Sequence, residues 1–389
     1  MKQVITTERI PIKLWLGEIE GGALQQARNV ANLPFAYKHI ALMPDSHEGY
    51  GMPIGGVMAT TGAVVPNAVG VDIGCGMCAL QTSLSYLSRE SLRKILGGIR
   101  DLVPLGFKHH EKKQDIALMP PFSHIIGNGI VEKEFENARK QIGTLGGGNH
   151  FIEIQSGSDG HIWIMVHSGS RNMGLKVAEH YNNIARNLND AGGSGAERSK
   201  NLAFLPVETR EASDYFNEMQ YCVDFALANR KLIMDHVVSV FHDVTGKDFE
   251  TMQFVNIAHN YARWEHHFNA HVIVHRKGAT SARAGETGII PGSQGTRSFI
   301  VRGKGNPESF ESCSHGAGRL MGRRQAQRTL DLKDEVARLD QTGIIHSLRN
   351  QNDLDEAPGA YKNIERVMED QQDLVEILIA LSPLAVIKG

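Results

Sequence analysis

The segment SCSHGAGR, residues 312–319, sets His315 among serines, glycines and an alanine. Side chains this small let a ligand come close to the backbone, so the imidazole is open to a reactant. A neutral imidazole is a competent nucleophile near neutral pH. Elsewhere, four strand-like apolar runs carry metal-type donors at their ends. VGVDIGCG offers Asp72 and Cys75, GTLGGGNHF offers His150 after Asn149, HIWIMVHSGSR offers His167 and FVNIAHN offers His259. Imidazoles suit zinc, copper, iron or nickel, and carboxylates suit manganese or magnesium. A structural zinc site would prefer a closed, sulfur-rich tetrahedron. Five mixed O, N and S donors point instead to one or two catalytic divalent ions that share ligands.

Each candidate has a plainer reading. A lone histidine at a strand end ordinarily makes a structural hydrogen bond. His266, His267 and His271 in EHHFNAH are read that way, on a segment compatible with a solvated helix face. Cys75 and Cys78 are spaced as CxxC, but no second CxxC completes a zinc ribbon and no βαβ unit supports a redox motif. Cys222 and Cys313 read as buried thiols. GTLGGGNH is glycine-rich without the GK[ST] of a Walker A loop. IIPGSQGTRS, residues 289–298, can present N–H groups and hydroxyls to a phosphate or a base edge. Beyond His315 a helix is expected to begin near Gly318, aiming its N-terminal N–H groups at the histidine. Arg319 with Arg323, and Arg324 with Arg328, are i,i+4 pairs that would make its surface basic.

The elements that must hold these residues are short. Strands are expected at 39–44, 63–74, 150–154, 161–167, 254–259, 270–278 and 298–303, each bounded by Gly, Pro or Asp. Helices are expected at 91–103, at about 208–245 and at about 361–380, before a last strand at 384–389. AGGSGAERSK, near 191–200, reads as a flexible surface loop. No internal repeat and no regular βαβ rhythm is present, so one large α+β domain spanning 1–389 is expected. Net charge is −2, with no global basic field, which argues against a generic nucleic-acid binding module. No apolar run reaches membrane-spanning length, and the N-terminal stretch lacks a signal-peptide h-region. The cytoplasm is the expected compartment, with no membrane contact.

DIGCGM (72–77), GTLGGGNHF (143–151), HSGSR (167–171), AHN (258–260), RKGA (276–279), IIPGS (289–293) and SHGAGR (314–319) together resemble the RtcB family of GTP-dependent RNA-splicing ligases. The motifs run from MPDSH (43–47) to VIKG (386–389), almost the whole chain. The resemblance implies a fold of mixed, largely antiparallel sheets flanked by helices. It implies an enzyme that joins an RNA 3′-phosphate or 2′,3′-cyclic phosphate to a 5′-hydroxyl, in tRNA splicing or RNA repair. His315 would be the nucleophile that takes GMP from GTP, with Asp45 a supporting acid. Asp72, Cys75, His150, His167 and His259 would hold one or two manganese ions. Guanylate contacts would fall to Asn149, Phe151, Glu153, Asn260, Pro291, Gly292, Ser293, Gln294, Ser298, Gly316, Ala317, Gly318, Tyr361 and Lys388. RNA, GTP and an activating protein partner would be its associates. The chain departs from the family pattern at Glu48 and Tyr50 and over 104–142, stretches expected to line the RNA path. The competing reading is a dinuclear metal phosphoesterase that opens cyclic phosphates without ligation. A nucleotide-accepting His315 separates the two, because a simple hydrolase needs no covalent nucleotide.

Overall fold

A computed structural model describes residues 1–122, 129–191, 201–246 and 248–389. Two large sheets form the frame. The first is antiparallel throughout and runs, in order, Thr251–Ala258, Gly76–Thr82, Ile162–Ser168, Phe151–Gly157, Val375–Lys388, Ser298–Gly303 and Thr287–Ile290. The second runs Gln3–Ile5, Ile12–Leu14, Ala36–Tyr50, Met52–Thr60, Ala270–Lys277 and Asn260–His267. Its one parallel pairing joins Ile12–Leu14 to Ala36–Tyr50. The fold is thus α+β, with largely antiparallel sheets flanked by helices. Consecutive strands Thr251–Ala258 and Asn260–His267 belong to different sheets, and His259 is the single residue between them.

The period-2 alternation of a strand explains how the first sheet is buried on both faces. Along Ile162–Ser168, Ile162, Ile164 and Val166 pack into one cluster, while Trp163 and Met165 pack into another. The first cluster includes Ile95 and Ile99 from helix Arg89–Leu102, and Ile233, Val237 and Phe241 from helix Arg210–Thr245. Each such aliphatic side chain contributes roughly 1.5–3 kcal/mol on full burial. The long helix starts where the Thr209 side chain accepts the Ala212 N–H, and stops at Gly246 in the left-handed region.

Expected strands at 39–44, 150–154, 161–167, 254–259, 270–278 and 298–303 coincide with observed ones, as do helices at 91–103 and 208–245. Four expectations fail. Of 63–74, only Ala63–Val64 is strand; a 3₁₀ turn follows at Pro66–Ala68, because proline supplies no ladder N–H and Gly70 and Gly74 bend the chain. The helix at 361–380 is a short one, Ile364–Glu369, and Val375–Lys388 is a strand wedged between two others. No helix begins at Gly318, whose φ is +73°; the helix is Arg323–Thr329, too short to aim a terminus at His315. The WEHHF segment is likewise edge strand rather than helix face. The loop expected near 191–200 lies, from 192 on, outside the described residues. Among the described residues no helix is long and apolar enough to cross a membrane.

Candidate active site at the junction of the two sheets

Asp45 sits within strand Ala36–Tyr50 where pairing with Met52–Thr60 is interrupted, between Leu42 and His47. The interruption turns its carboxylate toward the short strand Ser312–Ser314 and the residue that follows it, His315. Asp45 Oδ2 accepts the His315 main-chain N–H (3.1 Å) and lies 2.6 Å from Nδ1. Burial pushes the Asp45 carboxyl up, but the charge and hydrogen bond of His315 outweigh it, and the acid is held below its ordinary value. An ionised carboxylate only accepts, so Nδ1 carries a proton and Nε2 is the ring nitrogen that Asp45 does not engage. Lys362 Nζ fixes the Asp45 turn by donating to the carbonyls of Pro44 (3.3 Å) and Ser46 (2.5 Å). Gly318 must be glycine here: besides its positive φ, a Cβ would stand 2.2 Å from the Asp45 carbonyl oxygen.

The five metal-type donors converge in two overlapping groups. Cys75, His167 and His259 form one, and Asp72, Cys75 and His150 form the other, with ligand atoms within 4.8 Å of one another in each. Cys75 Sγ lies 3.3 Å from His167 Nε2 and 3.5 Å from His150 Nε2, which is 3.2 Å from Asp72 Oδ2. His167 Nδ1 donates to the Asn149 carbonyl (3.1 Å), so its Nε2 faces the group with a free lone pair. Burial, then neighbouring histidine charge, holds His167 and His259 well below the ordinary histidine value. Both rings are neutral and ligation-competent. His259 Nδ1 is buried without a hydrogen-bond partner among the described residues. Burial and the Asp72 charge push the Cys75 thiol well up, so a cation is what would make it a thiolate. The donor set fits one or two divalent ions sharing Cys75.

Adjacent residues on the long helix hold these loops in place. Arg230, fully buried, donates to the carbonyls of Gly74 (3.0 Å) and Ser168 (2.8 Å) and to Asn256. Asn229 accepts the Gly143 N–H and donates to Ser168 Oγ and the Gly169 carbonyl. The sequence hint was slight: two polar residues side by side in an apolar helix.

His315 and two of the metal-type donors, His167 and His259, line one cavity. His259 lies between the other two, its ring centroid 4.8 Å from that of His315 and 5.3 Å from that of His167. The cavity is also lined by Asn149, Phe151, Glu153, Pro291, Gly292, Ser293, Gln294, Gly316, Ala317, Gly318, Tyr361 and Lys388. Two expected contact residues stand behind its wall. Ser298 Oγ accepts the Gly292 N–H and a Gln155 Nε2 donor (both 3.1 Å). Asn260 accepts the Gly278 N–H (2.8 Å) and donates to the Asp72 carbonyl (3.0 Å), tying the donor loop to the residue beside His315. His47, Arg319 and Arg323 also line the cavity. Glu356, which the sequence presents as an ordinary turn acid, gathers four groups: Tyr361 OH, Lys388 Nζ (2.9 Å), Arg319 Nη1 (3.2 Å) and Arg323 Nη2 (3.4 Å). Burial pushes Glu356 up, yet the charges of Lys388 and Arg323 bring it down to about 2. Glu153 goes the other way: burial raises it to about 8, against a Gln155 hydrogen bond and the Lys388 charge, so it is a neutral acid at pH 7.

The sequence profile of the tRNA-splicing ligase RtcB family matches residues 26–131 and 122–389. The chain belongs to the RtcB family. It is 39% identical over 409 aligned positions to the RNA-splicing ligase RtcB of Escherichia coli K12, covering 100% of this chain and 99% of that protein. It is 32% identical to the tRNA-splicing ligase RtcB of Thermococcus kodakarensis, over 94% of this chain and 91% of that one. The Nanoarchaeum equitans tRNA-splicing ligase RtcB is 31% identical, over 95% and 92% respectively. Membership in RtcB makes the protein an RNA ligase.

Proposed function

We propose that this RtcB protein joins RNA 3′-phosphate or 2′,3′-cyclic phosphate ends to 5′-hydroxyl ends through a GMP carried on His315. The observation that carries the reading is the pairing of His315 with Asp45. It fixes Nδ1 on the carboxylate and leaves Nε2 as the ring nitrogen available for attack, with His259 of the donor group 4.8 Å away ring to ring.

In the first step Nε2 attacks the α-phosphorus of GTP, the P–N bond forms, and the bond to the β-phosphate oxygen breaks to release pyrophosphate. The Nδ1–H···Asp45 hydrogen bond stabilises the positive charge that the ring acquires. A 2′,3′-cyclic end is first opened by water, which breaks the P–O2′ bond and leaves a 3′-phosphate and a 2′-hydroxyl; GMP then passes from Nε2 to the 3′-phosphate, which restores the lone pair and leaves an activated end. The 5′-hydroxyl attacks that end and GMP departs. Asp72, Cys75, His150, His167 and His259 would hold manganese, one ion or two. That charge would neutralise phosphoryl oxygens and align them. The neutral Glu153 donates a hydrogen bond at pH 7, while Lys388, held by Glu356 and 5.3 Å over the Phe151 ring, offers an ammonium beside an aromatic face. These groups suit a purine with carbonyl acceptors. The cytoplasm, with tRNA or broken RNA as substrate and a protein activator, belongs to the same reading.

The test is incubation with manganese and α-labelled GTP, followed by a search for an acid-labile, base-stable label on the protein. His315→Ala must lose it. Wild type without label, or an equal label on His315→Ala, would sink the mechanism. RNA ends that are hydrolysed but never joined would favour the phosphoesterase.

A further inference from the structure

Residues 104–114 form a loop with no part in the steps above, and main-chain hydrogen bonds lock it in place. Leu145 N–H donates to the Pro104 carbonyl (3.0 Å), Gly106 N–H to Gly146 (3.1 Å), His110 N–H to Lys140 (3.0 Å) and Gln114 N–H to Arg139 (2.8 Å). Lys108 N–H closes a tight turn onto the Leu105 carbonyl (3.1 Å), with Gly106 at φ +62°. The turn presents Phe107 with 96% of its surface exposed, flanked by the exposed Lys108 and His109. A large apolar ring held outward by a fixed backbone has been placed for something to lie against.

Its position says what. Gly106 is bonded to Gly146, and a Cβ on Gly146 would fall 2.5 Å from His150 Nδ1 and 2.0 Å from the Arg171 guanidinium. The loop therefore abuts the donor group. Asp72 keeps 35% of its side chain exposed, so the group opens to solvent. Arg171 lies 3.4 Å from His150 and close enough to His109 to add to the burial that depresses that ring's pKa. Lys108 and Lys112 have no ion pair among the described residues, Lys113 pairs with Glu136, and Glu111 is the loop's single acid. An aromatic face bordered by cations matches the surface on which single strands bind, where bases stack and phosphates meet positive charge.

We propose that Phe107 is a stacking platform for an unpaired nucleotide of the RNA strand, with Lys108, His109 and Arg171 facing its phosphates. The proposal rests on the RNA-joining function above, and its test does not need the ligation reaction. Single-stranded RNA ten-mers ending in a 3′-phosphate would carry 2-aminopurine at one position each, scanned inward from that end. Wild type should quench one or two neighbouring positions on binding. Phe107→Ala should relieve that quenching and raise Kd by ~5- to 160-fold, the range of one lost base–aromatic stack. Phe107→Tyr should restore both. Equal Kd and equal quenching for wild type and Phe107→Ala overturn the proposal, as does a loss that is uniform across all positions. The two readings fail separately: a protein that takes no label from GTP but stacks RNA on Phe107 defeats only the covalent mechanism.

Discussion

Asp45→Asn isolates the charge of the His315 partner from its shape. The asparagine Oδ1 can take the place of Asp45 Oδ2 and accept the same two N–H groups, at 3.1 and 2.6 Å. Its amide then falls where Asp45 Oδ1 stands, a buried atom with no hydrogen-bond partner. Leaving that amide unpaired costs about 1–3 kcal/mol of stability. The larger effect is on rate. When Nε2 attacks phosphorus the ring becomes positive, and a unit charge about 4 Å away contributes about 4 kcal/mol at an effective dielectric constant near 20. Losing it slows label transfer by ~10³-fold, at 1.36 kcal/mol per decade. The assay is single-turnover uptake of α-labelled GMP, with bound metal and circular dichroism matched to wild type. A folded, metalled Asp45→Asn protein that reacts within threefold of wild type would refute the charge argument.

Removing the shared thiolate in Cys75→Ala should lower bound divalent metal per chain, read by elemental analysis, together with label uptake; unchanged values of both would exclude Cys75 as a ligand. Chelation should lower the melting temperature reversibly, since an ion bound only to the native state at a thousandfold its Kd adds about 4 kcal/mol. Glu265 is buried and accepts from Arg276 through both oxygens and from His267 (2.9 Å). Glu265→Gln strands the Arg276 charge and should cost about 3–5 kcal/mol in urea unfolding; a cost under 1 kcal/mol would refute the clamp. Arg276 also donates to Ser312 Oγ and the Phe310 carbonyl, just before His315, so label uptake should fall too. Glu153 loses its proton near 4.5 when unfolded and at about 8 when folded. The native state holds the extra proton between those values, so stability falls as pH rises through that window, by up to about 1.4 kcal/mol per unit. Glu153→Gln should flatten the dependence of the urea midpoint from pH 5 to 8, and an unaltered slope would refute the assignment.

How much the sequence revealed depended on whether a signal was local. Strands with uninterrupted apolar runs, such as HIWIMVH, declared themselves, as did the amphipathic helix at 91–103. The segment 371–380 did not, because QQDLVEILIA carries no period-2 alternation. Its strand state comes from neighbours on both sides, Phe151–Gly157 and Ser298–Gly303. The donors at 72, 75, 150, 167 and 259 were legible as chemistry, and the fold brings them together at the crossing between sheets. Ser298 and Asn260, expected as contacts, do not line the cavity in this structure and hydrogen-bond to the loops around it. Glu356 was invisible because an acid in a turn looks solvated until its four partners are in place.

The site draws its parts from far along the chain. The metal-type donors end at His259, His315 follows, and its partner Asp45 is 270 residues upstream. Val375–Lys388 must slide between strands already paired elsewhere before Lys388 reaches Glu356. On a ribosome these pieces emerge in that order, the last on the order of ten seconds after His259. The five metal-type donors are therefore all synthesised before His315, and well before the strand that carries Lys388. The cavity wall that Val386 and Lys388 line is complete only with the central strand Val375–Lys388 in place. On the proposed function, a chain stalled before that strand would carry the metal-type donors without the finished cavity.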